Sequence, residues 1–210
     1  FIALSVQNHW KIKTTDIKSA FLQGKQLTRD VYIQPPKEAG VTTGHIWKLN
    51  HCLYGLSEAA RQFYESVKEV LTTIGCYQCK LDPALFIYRY NNQLSGIIAL
   101  HVDDFLHAGD DHFHNNIFQP LTKKFIAGKL DEGSFSYVGF QLMQDNQGIT
   151  ISQSHYVKNI DEIIITPERS TQKNEKLSHA EESTYRSLVG QLNWAVQGTR
   201  PDLAFEMVDL

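Results

Sequence analysis

Two adjacent carboxylates, Asp103 and Asp104, interrupt an apolar run, with Gly96-Ile-Ile-Ala-Leu before them and Phe105-Leu-His-Ala after. Burying one ionised carboxylate without a partner costs several kcal/mol. Two side by side also repel and raise each other's pKa. Such a pair suits either a solvated hairpin turn or a metal site. Asp16 closes another strand-like stretch, Trp10 to Ile17, and shifts the balance between these readings. If the two strands are neighbours in one sheet, three carboxylates meet at one edge. Hard divalent cations such as Mg²⁺ take such oxygen ligands. Two of them about 3.5–4 Å apart can hold the attacking and leaving oxygens of a phosphoryl transfer.

Other residues with chemical potential carry blander readings. His101-Val-Asp103 with His155 or His179 would make a two-His-one-carboxylate iron site, but that leaves Asp16 and Asp104 idle. Asp110-Asp-His-Phe-His114 reads as a helix start with Asp capping and exposed His. Cys76-Tyr-Gln-Cys79 has the spacing of half a zinc site, without a second half, and reads as buried small residues. Lys123, Lys124 and Lys129 are candidate proton donors to a leaving pyrophosphate, with a solvated basic face as the alternative. Trp10, Trp47 and Trp194 could stack bases, yet core packing is their default.

The elements that must position these groups alternate between strand and helix. Trp10–Ile17 reads as a strand, Ser19–Leu22 as a short helical piece stopped by Gly24, and Val31–Gln34 and Ile46–Leu49 as short strands. Ser57 to Ile74 is the strongest helix: Ala60, Phe63, Val67, Val70, Leu71 and Ile74 recur every three or four residues, Ser57 is its expected cap and Gly75 its end. Ala84–Tyr90 and Ser95–Val102 flank an Asn91-Asn92-Gln93 turn. A helix is expected over 111–125, disturbed at Pro120. Phe135–Met143 and Ile149–Ser152 read as one hairpin over Asp145–Gly148. Then come a helix over 154–165, a polar linker over 166–182, a helix over 185–197 and a further one starting at Pro201. A boundary near 153 separates a sheet domain, residues 1–153, from a helical part, 154–210.

The composition allows one ordinary domain with a small appendage: 210 residues, 42% hydrophobic, 20% charged. A net charge of −3 lacks the basic excess usual in nucleic-acid-binding domains. Three cysteines form no disulfide framework and suit a reducing compartment. No apolar run reaches the roughly 20 residues of a membrane span, and no signal pattern opens the chain. Both ends read as cut from something longer.

Several stretches, in order, resemble the motifs of Ty/copia-type LTR-retrotransposon reverse transcriptases. Asp16-Ile-Lys-Ser-Ala-Phe-Leu-Gln-Gly24 resembles their first polymerase motif, and Leu53-Tyr-Gly-Leu-Ser-Glu-Ala-Ala-Arg-Gln-Phe-Tyr64 their second. Asp82-Pro-Ala-Leu-Phe86 is similar to the stretch before the third, and His101-Val-Asp-Asp104 to the third itself. Tyr137-Val-Gly-Phe140 resembles the primer-grip turn. Tyr185–Trp194 and Thr199-Arg-Pro-Asp202 resemble the segment after the thumb. His101, where an aromatic is common, and Ala60, where Pro is usual, depart from the pattern.

The resemblance implies an α+β polymerase-type palm, a sheet backed by helices, followed by a helical thumb and the start of a connection region. It implies RNA-directed DNA polymerisation with two Mg²⁺ ions, Mn²⁺ being an alternative. Asp16, Asp103 and Asp104 would be the catalytic metal ligands. The carbonyl of Ile17 would be a further ligand, Phe21 the steric gate against a ribose 2′-OH, and Tyr54 and Gly55 part of the nucleotide site. Tyr137, Val138 and Gly139 would form the primer grip. The implied partners are an RNA or DNA template with primer, deoxynucleoside triphosphates, and the rest of a Pol polyprotein (fingers, RNase H and integrase), with no membrane. The implied location is a cytoplasmic virus-like particle. Because the resemblance places basic fingers ahead of position 1, weak or no polymerase activity is expected of residues 1–210 alone. The alternative is a catalytically inactive relic or captured fragment that at most binds nucleic acid.

Overall fold

The apolar runs pair into one antiparallel sheet. The computed structural model describes residues 1–42 and 44–209, the last of them without its side chain. The chain divides into two compact units, Phe1–Gly133 and Ser134–Leu210. In the first unit the strands are β1 (Lys13–Ile17), β2 (Tyr32–Ile33), β3 (Trp47–Lys48), β4 (Tyr77–Gln78), β5 (Leu85–Tyr90), β6 (Gln93–His101), β7 (Asp104–Gly109) and β8 (Ala127–Glu132). Six of them form a sheet in the order β4-β5-β6-β7-β1-β8, and β2 and β3 make a separate ribbon. The unit also holds α1 (Ile2–Gln7), α2 (Ala59–Thr73), α3 (Asp111–Phe113), a π-helical turn (His114–Phe118) and α4 (Gln119–Lys124). The fold class is α+β, as expected.

Pleating decides what faces the helices. Thr15 pairs with Phe105 and Asp16 with Asp104 across β1 and β7. Directly opposed residues share a face and successive residues alternate. Ile17 and Phe105, both fully buried, therefore lie on one face, and Asp16 and Asp104 on the other. The buried face packs on Phe63, Val67 and Leu71 of α2 and on Phe113, Ile117, Leu121 and Phe125. Phe63 stacks on Phe105 at 6.4 Å and meets Phe125 edge-on at 5.5 Å. Burying each such side chain contributes about 1.5–3 kcal/mol relative to exposure. Phe113 fills a pit over the cross-strand pair Gly96 and Gly109. A Cβ on Gly96 would come within 2.7 Å of Phe113 Cδ1 and closer still to its Cγ.

The second unit contains a meander of β9 (Ser134–Tyr137), β10 (Phe140–Gln144) and β11 (Ile149–Ser152), then α5 (Ser154–Lys158), α6 (Pro167–Thr171) and α7 (His179–Gly198). Among the described residues, its three strands pair only with one another. The compact units part at 133/134, and the change from strands to helices falls between Ser152 and Ser154.

Several expected boundaries move. The strand expected from Trp10 begins at Lys13, and Ala127–Glu132, unforeseen, forms the outer strand β8. Ser57 does not cap α2. Its hydroxyl bonds Glu58, which Arg29 holds, and the helix starts at Ala59. Gly75 ends it with φ +100, a conformation that favours glycine. The 111–125 helix is interrupted by the π turn before Pro120, which sits harmlessly in the first turn of α4. The expected Phe135–Met143 strand folds back on itself at Val138-Gly139. The helix expected over 154–165 stops at Lys158. The expected linker contains α6 and the start of α7, which Ser178 and Glu181 close with a reciprocal capping box. Pro201 opens only a short 3₁₀ turn.

Candidate active site

The β6–β7 hairpin holds the two adjacent carboxylates at its tip. His101 pairs with Asp104, which leaves Val102 and Asp103 as a two-residue loop. Val102 has φ +55 and Asp103 does not share the positive φ, the pattern of a II′ turn. That position ordinarily takes glycine. A β-branched residue there is strained by about 1–3 kcal/mol. The Ile17 N–H donates to the Asp103 carbonyl at 2.8 Å, which ties the end of β1 to this turn.

Asp16, Asp103 and Asp104 are each half-buried. Asp16 and Asp104 are direct cross-strand partners, whose Cβ atoms lie about 4.5–5.5 Å apart in such pairs. Burial, together with the negative charges of Asp103 and then Asp16, raises the pKa of the Asp104 carboxyl, and His101 opposes the rise. Asp103 Oδ2 accepts a 2.8 Å hydrogen bond from the Tyr54 hydroxyl, whose own pKa is raised mainly by that bond. Asp16 Oδ1 accepts a 2.6 Å bond from the Lys129 backbone N–H.

The donor chemistry suits a hard divalent cation: three carboxylates, two on one sheet face and the third in the adjoining turn. As the side chains stand, no group of three or more His, Cys, Asp or Glu among the described residues is arranged to hold a metal ion. Two of the three aspartates instead spend an oxygen on a protein donor. Of the residues of the iron alternative, His101 and Asp103 belong to the first unit and His155 and His179 to the second. Asp110 caps α3 as expected, accepting from the Phe113 N–H at 2.9 Å and the Ser95 hydroxyl at 2.7 Å. Cys76 is buried, and burial pushes its thiol up to about 12, so it acts as a small apolar residue.

Of the other residues singled out in the sequence, Tyr54 lies beside Asp103 and Phe21 beside Tyr54. Phe21 follows β1 in a 3₁₀ turn, Ala20–Gln23, and is buried, with its ring 4.4 Å from that of Tyr54 and 6.4 Å from that of Phe63. Tyr54 is 63% exposed beyond the hydrogen bond to Asp103. Gly55 has φ +97 with open space where a Cβ would stand, so the backbone conformation, and not a close neighbour, asks for glycine there. Tyr137, Val138 and Gly139 belong to the second unit. They make the tight β9–β10 turn, with φ +48 at Val138 and +81 at Gly139. Trp10 is core, whereas Trp47 and Trp194 are 41% exposed. Lys123, Lys124 and Lys129 are exposed, and Lys129 Nζ pairs with Asp131 at 2.7 Å. What the sequence reading missed is β8, whose Gly128 and Lys129 touch Asp16. An isolated glycine in a strand pattern is the available signal for it.

The family model described as reverse transcriptase (RNA-dependent DNA polymerase) matches residues 1–174. The chain belongs to the reverse transcriptase family. Its relatives place it with the Ty/copia-type retrotransposons. It is 28% identical to the retrovirus-related Pol polyprotein from transposon RE1 of Arabidopsis thaliana, over 97% of this chain and 15% of that protein. It is 24% identical to the corresponding polyprotein from transposon TNT 1-94 of Nicotiana tabacum, over 97% of this chain and 17% of the relative. It is 28% identical to the putative transposon Ty5-1 protein of Saccharomyces cerevisiae, over 90% of this chain and 66% of the relative. The chain thus spans about 15% of the length of the first Pol polyprotein it matches. No helix among the described residues is long and apolar enough to cross a membrane.

Proposed function

We propose that this reverse transcriptase segment is the catalytic palm, with the helical thumb and the start of a connection region, of an RNA-directed DNA polymerase within a retrotransposon Pol polyprotein. The observation that carries the reading is the cross-strand pair of Asp16 and Asp104, with Asp103 in the strained turn beside it. The substrates are a primer paired to an RNA or DNA template and deoxynucleoside triphosphates. The first unit supplies the palm. The second supplies the primer-grip turn and the helical thumb, and the rest of the polyprotein supplies fingers, RNase H and integrase. Copying in a cytoplasmic virus-like particle follows from the same reading.

Asp16, Asp103 and Asp104 would hold two Mg²⁺ ions, or Mn²⁺ in their place, with the Ile17 carbonyl as a further ligand. When bound, such ions neutralise a triphosphate and make a primer 3′-hydroxyl more acidic. The chain's own residues set the rest. The Ile17 amide bond to the Asp103 carbonyl locks the end of β1 against the turn, so that Asp16 and Asp103 keep one spacing. Tyr54 stands between Asp103 and Phe21 and can orient a nucleotide at either side. Phe21, packed against Tyr54 and Phe63, would be the steric gate against a ribose 2′-OH. The test is extension of a DNA primer on an RNA template by the polyprotein carrying this segment. Extension that Asp103→Asn abolishes supports the reading, and extension that survives Asp103→Asn refutes it.

A further inference from the structure

Strand β8 carries an irregularity directly beside Asp16. Thr15 pairs with Leu130 and Ile17 with Ala127, so Gly128 and Lys129 together oppose the single residue Asp16. A bulge of two residues against one bends its strand and re-aims neighbouring side chains, and such bulges concentrate beside active sites. Two contacts follow from this one. The Lys129 N–H donates to Asp16 Oδ1 at 2.6 Å, a short bond strengthened by the acceptor's charge. Gly128 leaves vacant the space that the carboxylate fills. A Cβ there would lie 2.6 Å from Asp16 Cγ and closer to both oxygens. The φ of Gly128 is not in the left-handed region, so its backbone conformation does not demand glycine. The carboxylate of Asp16 does.

We propose that the Gly128–Lys129 bulge is the positioning element for Asp16: a strand amide and a missing side chain that together fix the rotamer of one ligating carboxylate. The inference rests on the reading of Asp16 as part of the polymerase site. Groups that orient a ligand through its second oxygen are a regular part of metal sites. The Lys129 ammonium takes no part, since it pairs with Asp131. The obstruction created by a methyl group at 128 falls on the end of a short side chain. The fold can accept it by rotating Asp16 away, and the damage is then confined to the site.

The test uses the 210-residue chain and the variant Gly128→Ala, read by the Lys129 backbone amide in ¹H–¹⁵N spectra and by Mn²⁺ binding measured with electron paramagnetic resonance. The expected result is a native spectrum elsewhere, a Lys129 amide shifted to its position in Asp16→Ala, and Mn²⁺ binding weakened about 10–100-fold. Lys129→Ala keeps the N–H and is expected to keep the bond to Asp16. If Gly128→Ala does not fold, the double variant Asp16→Ala/Gly128→Ala should fold, because the obstructing carboxylate is gone; a double variant that also fails overturns the proposal. So does a folded Gly128→Ala with an unmoved Lys129 amide, or with Mn²⁺ binding as tight as before or tighter. Mn²⁺ binding indifferent to Asp16→Ala contradicts the polymerase-site reading instead, and the Lys129 amide still decides the bulge.

Discussion

Acidification should loosen the seam that carries the aspartates, through His107. This residue lies on β7 opposite Lys13 of β1 and is 2% exposed. Its Nε2 is 3.3 Å from Thr15 Oγ1, and its ring stacks on Phe118 at 3.6 Å. Burial first, then the positive charges of Lys13 and His114, push its pKa down to about 3, with Glu132 pulling weakly the other way. In the unfolded chain an ordinary histidine titrates near 6.5. The unfolded state therefore binds a proton that the folded state refuses between about pH 6.5 and 3. Stability is full above that window and falls as the pH drops through it. At pH 5 the folded value hardly matters, and the loss is set by the unfolded pKa: about 2 kcal/mol relative to pH 7.5. The assay is urea unfolding of the wild type and His107→Gln at pH 7.5 and 5.0, since the other titrating groups contribute equally to both chains. The gap between them should change by about 2 kcal/mol in favour of the variant on acidification. An unchanged gap, or a His107 pKa above 6 by NMR, refutes the reasoning.

Other expectations follow from the turn, the core and the gate. Val102→Gly removes the strain of a β-branched residue at φ +55, set against about 1 kcal/mol of added unfolded-state entropy, and should stabilise the chain by about 1 kcal/mol in chemical denaturation; a clear loss of stability contradicts the assigned turn. Gly96→Ala forces the Phe113 ring out of its pit and should cost about 1–3 kcal/mol, with the loss reduced in a Phe113→Leu background; equal losses in both backgrounds argue against the contact. Phe21→Val in the polyprotein should admit ribonucleotides into primer extension, and unchanged discrimination would remove Phe21 from the gate.

The site was more legible than the scaffold that aims it. Carboxylates that break an apolar run are costly wherever they stand, so Asp103-Asp104 and Asp16 were visible as oddities before any fold was known. The α2 stripe was equally plain, because Phe63, Val67 and Leu71 obey one helical period. Strand β8 was not, because its bulge spoils the alternation that marks a strand and Gly128 supplies no side chain. The capping of α2 by Ser57 failed because the hydroxyl found a nearer acceptor in Glu58. The strand reading over Phe135–Met143 ran through the meander's inner turn because Val138 is of a type that rarely adopts a positive φ, although the resemblance marked Tyr137-Val-Gly-Phe140 as a turn. Tyr54 was legible as a motif residue, but its bond to Asp103 spans 49 positions and only the folded chain brings the two together.

The central claim is that Asp16, Asp103 and Asp104 together serve nucleotide addition. Its most direct test is single-nucleotide incorporation onto a DNA primer on an RNA template, using the polyprotein with Asp16→Asn, Asp103→Asn, Asp104→Asn or Asp131→Asn. Asp131 is the control, an acid on β8 paired with Lys129 and outside the proposed site. Incorporation that falls to background in Asp16→Asn and Asp103→Asn, drops in Asp104→Asn and persists in Asp131→Asn is the predicted result. Incorporation that continues without Asp16 or Asp103, or that is missing from the unsubstituted protein, would contradict the account.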